Sequence, residues 1–136
     1  MKLFWPLTLG IALLAACSAS PDASEQAFLP NLDAPPVGAP DVRLTSLIVG
    51  VLVVEGGCVR LESSSHRITV LWHPEIELSE AAPVPTLRDT ATERSYRIGE
   101  HVRLGGGEIP ADQVRQEYPA VARQCAGPYA TGYFAK

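Results

Sequence analysis

From residue 44 to the carboxyl terminus, apolar side chains come in short runs that suit β-strands better than helices. Residues 44–54 form the longest run. Its β-branched side chains occur at both odd and even positions, which predicts a strand covered on both faces. Gly50 interrupts this run and predicts a bulge or sharp bend, as at the corner of a barrel. A turn signal at residues 55–57 then predicts that residues 58–62 return as the second strand of a hairpin.

A third strand is predicted over residues 67–73, after a turn of serines at residues 63–65. Ile68, Val70 and Trp72 occupy alternate positions and therefore share one face. We interpret Trp72 as part of the core rather than as the wall of a ligand groove, because its neighbours on that face are aliphatic.

The pattern is weaker in the remainder of the chain. Three further short strands are predicted, namely residues 86–89 as an edge strand, residues 101–104, and residues 129–134. Gly105-Gly106-Gly107 is predicted to be a turn that stops the second of these. Residues 110–118 predict one short helix, because Pro110 suits a first turn, and Pro119 is predicted to end it.

Five or six short strands, glycine bends and one short helix predict an all-β domain over residues 42–136, either a small curled sheet or a β-barrel. The nearest named architecture is the OB-fold, a five-stranded barrel. The sequence departs from that architecture because a proline-rich stretch follows the third strand and the only helix signal comes late. We therefore expect a small OB-like barrel.

Residues 17–41 are predicted to be a disordered linker. The 24 residues after Cys17 contain five prolines, and such a segment buries too little apolar surface to offset its ordering entropy. Phe28, Leu29 and Leu32 are the exception. They could dock on the domain or bind a partner, and we interpret them as stray apolar residues in the linker.

The leader is the first 16 residues. Lys2 precedes an uncharged apolar run over residues 3–16, as in a secretory signal peptide. The run is shorter than the roughly 20 residues that a membrane-spanning helix needs, and it contains Pro6.

The run ends at Leu14-Ala15-Ala16-Cys17, which resembles the lipobox of bacterial lipoproteins. The resemblance implies that residues 1–16 are removed and that Cys17 carries a diacylglyceryl thioether and usually a third acyl chain. Ser18 after the cysteine implies the outer membrane, facing the periplasm. The alternative is an ordinary signal peptide in which Cys17 is incidental.

The chain from Cys17 onward carries 15 acidic and ten basic side chains, because Lys2 lies before it, so its net charge is −5. This charge argues against a nucleic-acid partner and against electrostatic binding to anionic lipid headgroups. The membrane is therefore expected as a partner only through the acyl chains on Cys17.

Cys58 and Cys125 are the two remaining cysteines. An even pair in an exported domain predicts one disulfide, and the alternative is two separate buried thiols. A redox pair would need C-x-x-C spacing, which this sequence does not contain.

His66, His73 and His101 are the only histidines, and with nearby carboxylates they form the alternative candidate for a metal- or glycan-binding site. Their spacing matches no common metal-ligand pattern, so we expect exposed or edge histidines and no metal or other cofactor. The serines at residues 63–65 lack a G-x-S-x-G context, and the glycine run lacks a P-loop lysine. No enzyme activity is predicted.

A second resemblance covers about the last 85 residues. It rests on four spaced elements, Gly57-Cys58-x-Arg60-Leu61, Trp72-x-Pro74, Gly105-Gly106-Gly107-Glu108 and Cys125-x-Gly127-Pro128-Tyr129. Together they resemble uncharacterised secreted and lipoprotein domains of bacteria, which implies no known activity. The sequence predicts a lipid-anchored, non-catalytic envelope lipoprotein that binds an envelope protein or a small ligand, or organises the envelope.

Overall fold

The computed structural model describes residues 27–64, 66–81 and 83–136. The leader, the lipobox and Cys17 lie outside the described residues, and what the sequence indicates for them stays a prediction.

Eight strands and two helices form within the described ranges. They are β1 (Ser46–Glu55), β2 (Cys58–Ser63), β3 (His66–Trp72), β4 (Ile76–Ser79), β5 (Thr86–Asp89), β6 (Ser95–Arg97), β7 (His101–Ile109), α1 (Ala111–Glu117), α2 (Pro119–Gln124) and β8 (Tyr129–Phe134).

Five of the strands close into a barrel in the order β1-β2-β3-β8-β7. Antiparallel pairing joins β1 to β2 and β2 to β3, and β7 returns after a long connection to lie beside β1. This arrangement is a Greek key. The last strand, β8, fills the gap between β7 and β3 and runs parallel to β3. The prediction of an all-β domain built as a small curled sheet or β-barrel is confirmed, and the closed five-stranded Greek-key order is OB-like.

β1 changes partners half-way along its length. Its first half pairs with β7 up to Val51, and its second half pairs with β2 from Val51 onward. A Cβ atom at Gly50 would collide with the carbonyl oxygen of Glu62, so the glycine permits the close approach at this barrel corner. The sequence predicted that both faces of β1 would be covered, which is wrong for the outer face. Leu47 is 55% and Val49 47% exposed there, because the helices pack elsewhere on the barrel.

The glycine run does not end a strand. β7 continues through Gly105, Gly106 and Gly107 to Ile109, and the prediction of a turn is wrong. Side chains from neighbouring segments lie across the strand, and a Cβ at Gly105 would collide with the Tyr133 ring. Gly105 and Gly107 therefore make room for the side chains of Tyr133 and Leu44, and Gly106 for the backbone of Thr131 in the neighbouring strand.

β4, β5 and β6 form a separate antiparallel sheet, inserted between the third and fourth barrel strands. Ile76 and Leu87 of this sheet are fully buried and belong to the same core as Leu52 and Trp72 of the barrel. The sheet therefore closes one end of the barrel. β5 is its central strand, so the edge-strand prediction is wrong.

α1 and α2 cover part of the outside of the barrel. Val114 and Val121 pack with Leu71 and Tyr129 in a second core. The sequence predicted one helix, but Pro119 begins α2 two residues after α1 ends, in the first-turn position that proline favours.

Cys58 and Cys125 form the predicted disulfide, with their Cα atoms 5.9 Å apart. The bond ties the start of β2 to the residue that follows α2. Both cysteines are buried in the second core. The prediction of one disulfide between them is confirmed.

Residues 27–32, which we name the strap, lie against the barrel. β2 and β3 pair from Ser63–His66 to Arg60–Thr69. Beyond the Arg60–Thr69 pair, toward Val59 and Trp72, β2 and β3 no longer pair with each other, and the strap lies between them. The N–H of Val59 donates to the carbonyl oxygen of Phe28, and the N–H of Trp72 donates to that of Pro30.

The apolar side chains of the strap alternate between the two cores. Ala27 and Leu29 pack against the barrel core, whereas Phe28 and Leu32 pack against the second core. Pro30 is fully buried between them. The interpretation of Phe28, Leu29 and Leu32 as stray linker residues is therefore wrong.

Candidate functional site

The barrel end opposite the three-stranded sheet is open. Trp72 and Phe134, near the carboxyl ends of β3 and β8, pack with the sheet, and Tyr96 stacks on Phe134 with ring centroids 3.9 Å apart. The other ends of β3 and β8 line a cavity of about 440 Å³, which we name the mouth. Its volume lies within the range of small-ligand pockets.

The mouth has an apolar floor and a polar rim. Ile48, Ile68 and Ala130 form the floor, and Glu108 and His66 lie at the rim. An adjoining hollow of about 400 Å³ shares Glu108, Pro128 and Tyr129 with the mouth and is otherwise lined by residues 109–111. Glu108 is therefore common to both parts of one mainly apolar depression.

The Glu108 side chain is exposed, on the β7 residue that pairs with Ala130. Among the residues that the structure describes, it forms no hydrogen bond or ion pair. A carboxylate beside apolar walls can accept hydrogen bonds from a cationic group while the walls bury an apolar body.

Pro128 and Tyr129 form one wall of the mouth, and polar contacts hold residues 125–127 just before them. Tyr129 donates its hydroxyl to the carbonyl oxygen of Cys125 (2.7 Å), and Thr69 donates to that of Ala126 (2.6 Å). Arg60 is buried and donates from Nη2 to the carbonyl oxygens of Arg67 (2.6 Å) and Gly127 (3.4 Å).

Burial lowers the pKa of Arg60 below its usual value. Because an arginine is effectively never deprotonated in proteins, the guanidinium stays a cation. It pairs with Glu55 at 2.7 Å. The buried, charged side chain of Arg60 therefore holds this wall of the mouth in place without a ligand.

A second concavity, the charged cleft, lies near the closed end and contains about 430 Å³. Arg43 Nη1 donates to Glu75 Oε1 (2.5 Å) and Nε to Asp41 Oδ2 (2.7 Å), and the guanidinium lies 5.1 Å from the Tyr133 ring centroid. Its cation is thus already paired with two carboxylates and an aromatic face. The Arg43 cation of the cleft is therefore paired, whereas the carboxylate of the mouth has no partner among the described residues.

His73 is buried beside this cleft, with its ring edge-on to Tyr133 at 5.3 Å. Burial lowers the pKa of His73, and the nearby positive charge of Arg43 lowers it further, while Glu75 and Asp41 oppose the shift. The sequence predicted an exposed or edge histidine at this position, which is wrong. The reason is that Tyr133 and the Arg43 segment cover it.

The three histidines do not come together. His66 begins β3 and His73 follows its end, so the strand places their backbones about 23 Å apart. His101 is exposed at the start of β7. Across the described ranges, no group of three His, Cys, Asp or Glu side chains is arranged to hold a metal ion. The alternative metal- or glycan-binding site at the three histidines therefore stays a prediction, and the described structure does not bring their side chains together.

No protein-family model, curated protein or solved structure matches the chain. Neither of the two helices in the described part of the chain is long and apolar enough to cross a bilayer. The interpretation of the site therefore rests on its geometry.

Sequence reasoning placed Trp72 in the core, where it is fully buried, but it missed the mouth. The predicted turn at Gly105-Gly106-Gly107 ended the strand before Glu108, although Glu108 and Ile109 continue the strand register beyond the glycines. The sequence placed Ile68 on an apolar face, but it did not indicate which end of the barrel would stay open.

Proposed function

We propose that this chain is a lipid-anchored, non-catalytic lipoprotein of the bacterial envelope whose barrel is a binding module. The lipobox-like Leu14-Ala15-Ala16-Cys17 supports an acyl anchor on Cys17. The Cys58–Cys125 disulfide fits an exported, oxidising location. The expected location is the outer membrane, with the domain in the periplasm.

The open mouth is the observation that carries the binding role. It combines an apolar floor with one carboxylate that has no partner within the described residues. Its ligand class is a small apolar molecule with one positive charge, because the floor buries the apolar body and Glu108 neutralises the cation.

A non-catalytic role is supported by the lining of the mouth, which is mainly apolar. A small-ligand pocket of this kind buries an apolar body and orients it with a few polar groups, so binding fits this geometry.

The binding role is tested by calorimetric titration of the purified protein with hexylammonium, with hexanoate and hexanol as anionic and neutral probes of similar size. We expect the cation to bind most tightly and Glu108→Gln to weaken it at least about tenfold, since a hydrogen bond to a charged group contributes about 1.5–3 kcal/mol. Glu77→Gln is the matched control, because Glu77 is exposed on β4 at the closed end. Equal binding of hexanoate, or an unaffected Glu108→Gln variant, contradicts this assignment.

The anchor is tested separately by the mass of the mature amino terminus. We expect the chain to begin at Cys17 with acyl chains attached, and Cys17→Ala to abolish both processing and membrane association. An unmodified Cys17, or a start at another residue, ends the lipoprotein proposal while leaving the binding test intact.

A further inference from the structure

The strap is bound by backbone and side chains together. The N–H of Phe28 donates to the carbonyl oxygen of Gly57 (2.6 Å), and the N–H of Leu32 donates to that of Trp72 (2.7 Å). With the bonds from Val59 and Trp72 to the strap, both edges of the β2–β3 gap are occupied.

Release of the strap would uncover both cores at once. Its side chains alternate between the barrel core and the second core, and Pro30 is fully buried. Release would also leave the N–H groups of Val59 and Trp72 without these partners, and unpaired buried donors are costly. The strap is therefore an integral part of the fold.

The strap also fixes where the amino-terminal segment leaves the barrel. The N–H of Ala27 donates to Glu80 Oε1 (2.9 Å), just after β4 of the closing sheet. The residues after the strap are different in character: Val37 is fully exposed, and residues 34–42 are exposed throughout. The first fixed point of the domain is thus the strap rather than β1.

The number of residues before the strap limits how far the domain can lie from Cys17. Ten residues lead from Cys17 to Ala27. Whatever their conformation, they span at most about 36 Å at a limit of about 3.6 Å per residue. With the strap released, the 24 residues up to Asp41 would span up to about 86 Å.

We propose that the strap sets the stand-off distance of the barrel, keeping it in the layer next to the bilayer that holds Cys17. This inference rests on the proposed lipid anchor. The mouth lies at the far end of β3 from the strap, up to about 20 Å further along the barrel. A ligand of the mouth must therefore bind within about 56 Å of the membrane surface.

The test uses Trp72 as the donor in energy transfer to a dansyl-labelled phosphatidylethanolamine in phosphatidylcholine vesicles. Trp72 is the only tryptophan after Cys17, since Trp5 lies in the leader. The sample is the full processed lipoprotein. An insertion of ten Gly/Ser residues between Ser24 and Glu25 lengthens the tether and leaves the strap in place, and we expect it to lower transfer about twofold.

The double substitution Phe28→Asp with Leu32→Asp releases the strap and is expected to lower transfer at least as much as the insertion. Val37→Asp is the matched control, because it adds a charge at an exposed residue beyond the strap, and transfer should not change. Trp72 emission without the labelled lipid corrects each variant for changes around the ring.

Equal transfer in the wild-type chain and the insertion variant overturns the stand-off proposal, even where the strap variant fails to fold. Failure of the wild-type chain to float with vesicles overturns the lipid anchor and the stand-off together. A protein that floats but shows no dependence on tether length overturns the stand-off alone.

Discussion

The two ends of the barrel are made by the same five strands and are completed in different ways. At the closed end, Ile76 and Leu87 of the inserted sheet bury Trp72 completely. At the open end, Ile48 and Ile68 are only partly buried, and the cavity lies above them. The difference shows which apolar residues complete the core and which remain available to a ligand.

The disulfide has the largest expected effect on this comparison. It joins the strap side of the barrel to the wall of the mouth and closes a loop of 67 residues. In the chain-entropy model, replacing Cys58 and Cys125 with alanine should lower the free energy of unfolding by about 4 kcal/mol. Urea denaturation of both forms measures this. A loss below about 1 kcal/mol would mean that the wall is held by Arg60 and its neighbours instead.

Core completion at the closed end is tested by Leu87→Ala. Leu87 is fully buried, so the cavity should lower the free energy of unfolding by about 2–5 kcal/mol. The same measurement on Ile48→Ala at the mouth should give a smaller loss, about 1.5 kcal/mol or less, because that side chain is partly buried. Similar losses at the two sites would contradict the distinction between core and mouth.

His73, beside the charged cleft, should make the stability of the fold sensitive to acid. The pKa of His73 is lowered in the folded state by burial, so the unfolded chain binds the proton first as pH falls. Stability is therefore full above about pH 6.5, the unfolded value, and declines as pH falls through the lowered folded value. Urea denaturation from about pH 7.5 to about pH 5, a range that brackets the unfolded value, measures how the free energy of unfolding changes with pH.

His73→Gln should reduce the slope of this pH dependence, because it removes the buried titratable group. An identical slope in the wild-type chain and in His73→Gln would show that other groups cause the acid sensitivity.

The smallest expected effect concerns the uncovered face of β1. Leu47 is about half exposed, and nothing within the described residues covers this face. Leu47→Thr should change the free energy of unfolding by about 0.5 kcal/mol or less, as at most surface sites. A loss above about 2 kcal/mol would indicate that the face is covered in solution.

Local patterns predicted the first three barrel strands because residues 67–73 alternate in polarity and turn signals follow residues 44–54 and 58–62. The strap was missed because Phe28 and Leu29 lie among prolines, and average composition concealed the alternation that lets them pack against two cores. β7 was cut short because a glycine run has low strand propensity, which side chains from neighbouring segments override.

The mouth could not be predicted from the sequence. It exists because the inserted sheet packs on one barrel end only, and that choice depends on long-range contacts between Leu87 and Trp72 rather than on local periodicity. The disulfide was predictable because an even pair of cysteines in an exported domain leaves one pairing.

The most direct test of the central claim is a backbone-amide NMR titration of the isotopically labelled protein with hexylammonium. Binding at the open end predicts that shifts concentrate at Ile48, Ile68, Glu108 and Ala130 and are lost in Glu108→Gln. Shifts that instead concentrate around Arg43 and Tyr133 in the charged cleft, or no saturable shifts at all, would contradict it.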